Sequence, residues 1–437
     1  MRYKLRDLPY LLKTPVGRRE LLWGQYSRFR SITTFLAFVY RRTIIRNVRI
    51  VAIIGSLGKT TTARAVATGL GIPVHPNIGR NANVQVAKAL LRIRPGNSHG
   101  VIEVGVSNTG QMKKYARLIR PDMTVVTSIA SEHNRSFKTL DTTREEKSDM
   151  VRAVPDPGKV FLNGDDPNVL WMSQKTRASV ITYGTGTSNE FYASDIEQRW
   201  PDGMKFKLHM DGATFNVNSR LIGCHMIYPL LAAVAVAKEE GFEINQVIQR
   251  ISSMEPTKGR MQPLHLDNGA VIIRDDFKSA EETIYAALNA FSKIPAKRKV
   301  IVLGEVNEPL GSINKLYRDI GENVGKIASR ALFLGHKKSC RYYVVGAKQG
   351  GLSQDSAVHM GHDILRVARI LRDELGPGDV VLIKGRTEQR LLRIALLLEG
   401  MQVACDLGAC TYSARNCRIC PMLSKKWKGL PKIKKKT

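Results

Sequence analysis

The sequence predicts an α/β protein: a central domain on a doubly wound, mostly parallel sheet, a smaller C-terminal α/β domain, a basic helical N-terminal arm and a Cys-rich C-terminal tail. Three observations carry this. From residue 48 to about residue 399, β-branched apolar runs alternate with amphipathic segments, the pattern of strands joined by crossover helices. Glycine-containing turns separate several of them. Lys and Arg gather at both ends, and four of the six cysteines fall within residues 405–420. At 437 residues the chain is longer than one hydrophobic core organises, so two or three domains are expected.

The elements follow in order. Residues 1–49 hold twelve Lys or Arg against Asp7 and Glu20, and residues 1–30 lack the apolar centre of a secretory leader. The longest apolar window there is residues 31–40. As a helix it spans about 15 Å, half of a bilayer core, so it cannot cross alone. Ile32, Phe35, Leu36 and Val39 form one stripe. Such a stripe fits a helix packed on the main body, or one lying in a membrane interface with Arg and Tyr at the headgroups. Val48-Arg49-Ile50-Val51-Ala52-Ile53-Ile54 is a β-branched run ending at glycine, a buried parallel strand. Residues 60–70 read as a helix. Further strands are predicted at 100–104, 123–127, 159–162 and 179–183, with helices at 85–93 and 143–153. Strands 205–210 and 214–217 flank the turn Asp211-Gly212, and an Ala-rich helix at 229–240 ends at Gly241. A second block opens near Gly259, with strands at 270–274, 299–303, 331–334 and 380–384 and helices at 280–291, 312–327, 361–375 and 388–399. The expected division is a basic amphipathic arm at 1–47, a central domain at 48–258, a Rossmann-like domain at 259–402 and a tail at 403–437.

The net charge is +30, of which +10 lies in residues 1–49 and +8 in 403–437. Ends of this kind favour anionic partners: nucleic acid, an acidic leaflet, or a phosphorylated or uronic substrate. The body, at 43% hydrophobic and 24% charged residues, has an ordinary globular composition.

Gly55-Ser56-Leu57-Gly58-Lys59-Thr60-Thr61-Thr62 stands between a predicted strand and a helix. Glycines let backbone N–H groups approach phosphate oxygens, and the helix N-terminus adds its dipole. Lys59 would neutralise the β- and γ-phosphates of ATP, and the Thr60 hydroxyl would ligate Mg²⁺. Ile53 stands where the common phosphate-loop pattern has its first glycine, so the match to that pattern is partial.

This shortened loop resembles that of the Mur ligases, the ATP-dependent amide ligases of cell-wall precursor assembly, and within them the branch that adds D-alanyl-D-alanine. Further matches follow in order over about four-fifths of the chain. Val101-Ile102-Glu103-Val104-Gly105 resembles the family's strand whose glutamate binds magnesium, which implies that role for Glu103. The segment from Val126 to His133 is similar to one whose histidine serves a second magnesium. Lys147 takes the place of a lysine the family often carbamylates. Leu162-Asn163-Gly164-Asp165-Asp166 resembles the Asn-x-Asp-Asp turn; an Asx-rich turn is its plain alternative. Gly223-Cys224-His225 resembles the start of a motif near adenine, with His225 against the base; Met226 and Pro229 replace the usual asparagines there. Lys258-Gly259-Arg260 and Asp275-Asp276-Phe277-Lys278 are similar to segments that imply Arg260 at the nucleotide, Asp276 on ribose and Lys278 near the γ-phosphate. Strand ends at Leu303-Gly304-Glu305-Val306 and Lys384-Gly385-Arg386 resemble those of the amino-acid-binding domain, with Lys384 and Arg386 toward a substrate carboxylate.

The resemblance implies catalytic roles for Lys59, Lys147 and Lys278, nucleotide contacts from Gly55, Gly58, Thr60, Thr61, His225, Arg260 and Asp276, and magnesium at Thr60, Glu103 and His133. The family's N-terminal domain, which binds a uridine-diphosphate sugar, does not fit into the 48 residues before the first strand. The expected acid is therefore an acidic, lipid-linked or polymeric glycan of the envelope or an exopolymer. An amino acid or amine is its co-substrate, and the enzyme is expected in the cytoplasm with peripheral contact at the inner membrane face. Two other readings stay open: the usual peptidoglycan precursor as substrate, or a nucleic-acid-associated NTPase recruited by its basic ends and Cys module. Cys405, Cys410, Cys417 and Cys420 have spacing that suits structural Zn²⁺, with an iron–sulfur cluster as runner-up and a set of reduced thiols as the plain alternative.

Overall fold

The structure is a computed structural model that describes residues 5–131, 134–410, 416–427 and 429–430. Three helices open it: α1 (Leu8–Lys13), α2 (Pro15–Arg28) and α3 (Arg30–Arg42). The chain forms two compact units, residues 31–257 and residues 1–30 with 258–437. The segment expected as one arm is thus shared: α1 and α2 group with the C-terminal unit, and α3 lies in the other.

In the 31–257 unit the elements that place the site are β1 (Arg49–Ile54), α4 (Lys59–Gly69), α5 (Val84–Leu90), β2 (His99–Glu103), α6 (Gln111–Ile119), β3 (Met123–Val126), α7 (Asn134–Phe137), α8 (Leu140–Arg152), β4 (Lys159–Asn163) and β5 (Ser179–Gly184). The sheet order is β2-β1-β3-β4-β5, all parallel. It continues through β6 (Phe191–Arg199), β7 (Gly203–Met210) and β8 (Ala213–Ser219); β6 is parallel to β5 and the last two pairings are antiparallel. Residues 50–54 of β1 are all buried, because helices cover both faces of a parallel sheet. That is why its sequence is a continuous apolar run. The Ile227–Glu239 helix is buried nearly throughout and lies against α4. One strand departs from expectation. β6 is not among the expected strands; its outer half is polar, and a bulge between Ser194 and Glu197 breaks the alternation.

In the other unit the strands are β9 (Gln262–His265), β10 (Val271–Asp275), β11 (Arg298–Leu303), β12 (Arg330–Phe333), β13 (Ala357–His359) and β14 (Asp379–Lys384). Their order is β13-β12-β11-β14-β10-β9, parallel except for the edge strand β9. β14 is buried along its whole length. The tail is docked here: Leu11 and Val16 share a small core with Met422, Trp427 and Leu430, and the Tyr10 hydroxyl donates to the Gly429 carbonyl at 2.8 Å. Thr14 caps α2 by accepting from the Gly17 N–H at 3.0 Å, with Pro15 at the first helical position. Among the described residues no helix is long and apolar enough to cross a membrane.

Candidate active site

Strand β1 lies between β2 and β3, so the connections from β1 and from β3 leave on opposite sides and open a crevice at the carboxyl ends of these strands. The phosphate loop sits there. Gly55 has φ +132°, and a Cβ on it would stand 2.0 Å from Thr127 Oγ1 at the end of β3. Only glycine fits. The Ser56 N–H donates to the Ser128 carbonyl at 2.7 Å, and Thr127 Oγ1 donates to the Leu57 carbonyl at 2.6 Å. Gly58 is left-handed at φ +81° and caps α4, whose first residue is Lys59. The Lys59 ammonium donates to the carbonyls of Gly55 at 2.8 Å and Ser56 at 2.7 Å. Thr61 turns elsewhere: its hydroxyl faces Thr257 Oγ1 at 3.3 Å.

Lys147, on α8, reaches the same loop. It is buried, and its ammonium donates to Ser56 Oγ at 2.8 Å. Two lysines therefore converge on Ser56. Glu103, at the end of β2, is also buried and accepts from Asn81 Nδ2 at 2.5 Å. An atom placed on Gly79 as a Cβ would lie 3.4 Å from Thr60 Oγ1 and 3.8 Å from Glu103 Oε2, so these two oxygens flank one point beside the loop. A hydroxyl and a carboxylate are the hard oxygen donors Mg²⁺ takes. His133 lies outside the described residues.

Neighbouring turns close around the crevice. Asn163 Nδ2 donates to the Thr127 carbonyl at 3.0 Å, and Asp166 accepts from the Ile129 N–H at 2.8 Å while capping its own short helix. Burial works to raise the Asp165 carboxyl, but bonds from Thr185, Gly186 and Asn189 hold it below the usual carboxylate range. The Tyr228 hydroxyl donates to Asp165 at 3.1 Å, which ties this turn to the segment carrying half-buried His225. The Asn-x-Asp-Asp residues thus act through backbone turns.

The residues expected from the C-terminal unit gather around the carboxyl ends of β10 and β14. Arg260 lies over the Phe277 ring at 4.8 Å. Asp276 is buried and paired with Arg274 at 2.8 Å; burial raises its carboxyl, and the guanidinium opposes that. Lys384 is buried too: its ammonium donates to Asp275 at 2.6 Å and to the Lys278 carbonyl at 2.9 Å, with burial lowering its pKa against the pull of Asp275. Lys384 is held inside as a brace of the 275–278 loop, while Arg386 pairs with Glu305.

Several site residues escaped the sequence reading. Asn81 and Gly79 belong to a Gly- and Asn-containing loop, residues 76–83, whose composition was the available signal. Glu146 accepts from the N–H groups of Gly110 at 2.7 Å and Met112 at 2.8 Å at the start of α6, and nothing in its spacing announced that. Cys405, Cys410, Cys417 and Cys420 all line one cavity of about 20 Å³. As placed, they form no metal-holding group: among the described residues no three His, Cys, Asp or Glu side chains do.

A loop so placed in a parallel sheet is shaped for a nucleotide's phosphates, which puts the protein among nucleotide-dependent phosphoryl-transfer enzymes. Comparison narrows the class. Residues 53–237 match the Mur ligase middle domain and residues 259–387 the Mur ligase glutamate ligase domain. The chain belongs to the Mur ligase family of ATP-dependent, ADP-forming ligases. It is 27% identical over 421 residues to UDP-N-acetylmuramoyl-tripeptide--D-alanyl-D-alanine ligase of Mycobacterium tuberculosis strain H37Rv, covering 89% of this chain and 82% of that protein. To the Bacillus subtilis protein of the same name it is 23% identical over 357 residues, covering 79% and 75%. MurF from Acinetobacter baumannii shares the fold, with a TM-score of 0.74 at 19% identity over 85% of this chain and 81% of that one. The Thermotoga maritima MurF ligase in complex with ADP gives 0.72 at 18% identity, over 85% and 83%.

Proposed function

We propose that this chain joins the carboxylate of a muramoyl-peptide-type precursor to the amine of a D-alanyl-D-alanine-type dipeptide, through an acyl phosphate. The observation that carries the chemistry is the convergence of Lys59 and Lys147 on Ser56, beside the Thr60 and Glu103 oxygens. The phosphate loop holds the triphosphate of ATP, and Mg²⁺, held by Thr60, Glu103 and His133, supplies charge neutralisation on the phosphates. The substrate carboxylate attacks the γ-phosphorus and ADP leaves. Lys59 offsets charge on the transferring group. A neutral amine then attacks the acyl carbon, phosphate departs with the former carboxylate oxygen, and the amine gives up a proton. Lys147 takes the carbamylated role, its nitrogen already beside the loop. His225 packs near the base; within the C-terminal unit, Arg260 and Asp276 take the nucleotide-binding roles that the resemblance implies, and Arg386 that of meeting the dipeptide's carboxylate.

The acid is proposed on the relatives' names, which specify a UDP-N-acetylmuramoyl-tripeptide. A lipid-linked or exopolymer acid has no support among them. The test is co-dependence. ADP should form only when acid and amine are both present, or as acyl hydroxamate when hydroxylamine replaces the amine. ADP release stimulated by DNA or RNA alone contradicts the proposal. Use of ATP and of a soluble precursor places the reaction in the cytoplasm.

For the tail we propose structural Zn²⁺. What supports it is that all four thiols line one cavity with Arg393, a fully buried guanidinium bonded to the carbonyls of Gln389, Cys405 and Leu407 and to the Cys405 sulfur. A four-thiolate zinc is a net anion, which suits such a neighbour. Stoichiometric zinc in native protein is expected; a metal-free protein whose unfolding ignores chelator contradicts it.

A further inference from the structure

Helix α3 is fastened to its unit by the face opposite its apolar stripe. Ala37 and Arg41 are the buried residues, and polar bonds do the anchoring. The Arg41 guanidinium donates to the carbonyls of Ile119 at 2.8 Å, Ile45 at 2.9 Å, Val48 at 3.2 Å and Arg120 at 2.8 Å, and to Asp122 at 2.9 Å. The Tyr40 hydroxyl donates to the Ile93 carbonyl at 2.8 Å. The stripe points the other way: Ile32 is 56% exposed, Phe35 65%, Leu36 53% and Val39 39%. Four large apolar groups on one rigid helical face are more than scattered surface residues.

A groove of about 800 Å³ adjoins the C-terminal end of this helix. Arg42, Arg46, Lys113, Arg117, Arg120 and Arg152 line it. Its two carboxylates are already taken, Asp122 by Arg41 and Asp149 by Arg152. Helix and groove are continuous, because Arg42 lies over the Phe38 ring at 3.4 Å and donates to the Arg117 carbonyl at 2.8 Å.

We propose that the outer face of α3 and this groove together dock on an anionic phospholipid leaflet, the four apolar side chains entering the acyl boundary and the arginines taking lipid phosphates. Thirteen helical residues cannot span a bilayer, so the helix lies in its plane. Charge decides the occupant. A second copy would bring an identical basic groove to the same place, which like-charge repulsion opposes. Nucleic acid would answer the arginines but leave the aliphatic groups Ile32, Leu36 and Val39 with no stacking partner. A leaflet with anionic headgroups satisfies both halves at once. The inference does not depend on the identity of the ligase substrates.

The experiment is cosedimentation of the full-length chain with phosphatidylcholine vesicles, with and without phosphatidylglycerol, at low and high salt. Binding is expected only with phosphatidylglycerol and should weaken as salt rises. Phe35→Asp with Leu36→Asp should lower it by at least about tenfold at every salt concentration. Arg46→Glu with Lys113→Glu should lower it as well and flatten the salt dependence. All four positions are exposed, so ligase turnover without vesicles should be unchanged, which separates this result from a failure of the catalytic reading. Equal binding to both vesicle types, binding indifferent to both variant pairs, a dimer dissolved by Phe35→Asp, or tighter capture by RNA than by vesicles would each overturn the proposal.

Discussion

Replacing Gly55 with alanine tests how the phosphate loop is built. The new methyl would start 2.0 Å from Thr127 Oγ1 and 3.0 Å from the Ser128 N and O, where ordinary contact begins at 3.4 Å, so loop and strand end must part by more than 1 Å. They are joined at this point by the bond from Ser56 N–H to the Ser128 carbonyl, so the displacement moves the amides that face the phosphates. Backbone strain adds to the clash, because φ +132° is a region that alanine adopts at about 1–3 kcal/mol. If all of that strain falls on the nucleotide-competent loop, affinity drops by about 5- to 150-fold before the clash is counted. Adding Thr127→Ala removes the obstructing hydroxyl but also its bonds to the Ile54 and Leu57 carbonyls, so the double variant should stay weak. Titration calorimetry with ATP and magnesium gives the affinity, and thermal unfolding without nucleotide shows whether the chain still folds. A Gly55→Ala protein that folds normally and binds ATP within about twofold of the parent would refute the reasoning.

Four further outcomes follow from the structure. Lys59→Met should lower turnover by at least about 100-fold, measured by coupled ADP release, because it removes a cation that offsets charge on the transferring phosphoryl group. Lys147→Ala should also abolish most turnover, and labelled bicarbonate should give a carbamate signal in the parent that the variant lacks. Arg41→Leu strips the guanidinium from Asp122 and from five carbonyls, so urea unfolding should show about 3–5 kcal/mol lost, while Arg42→Leu, on the exposed side, should change little. Burial works to raise the Glu240 carboxyl, yet His99 and Arg49 hold it below its ordinary value. A carboxylate so depressed adds stability above its unfolded pKa and loses it as pH falls through the folded one, so Glu240→Gln should flatten the acid limb of a stability–pH curve.

Much of the fold was legible because each signal was local. The run at 48–54 could only be a strand with both faces covered, and Gly58-Lys59-Thr60 marked where its helix starts. What stayed hidden depends on partners distant in sequence. The Lys337–Gln349 helix is not among the expected elements; Gly346 within it lets the helix press its backbone on Arg318 of a neighbouring helix. β9 is an edge strand of four residues with a proline in it, which has no recognisable alternation. In the site, Lys147 was found by resemblance, whereas its proximity to Ser56 comes from a crossover of 91 residues. The apolar stripe of α3 was visible, but not which face of the helix would be buried. Arg41 decided that, through bonds to residues near 120 that no pattern links to it.

The direct measurement of the central claim is isotope transfer. With the acid substrate labelled by ¹⁸O in its carboxylate, turnover with ATP and amine should place one labelled oxygen in each inorganic phosphate released, because that oxygen bridges carbon and phosphorus in the acyl phosphate. Phosphate released without label, while amide forms at the normal rate, would mean that the carboxylate never attacked the γ-phosphorus.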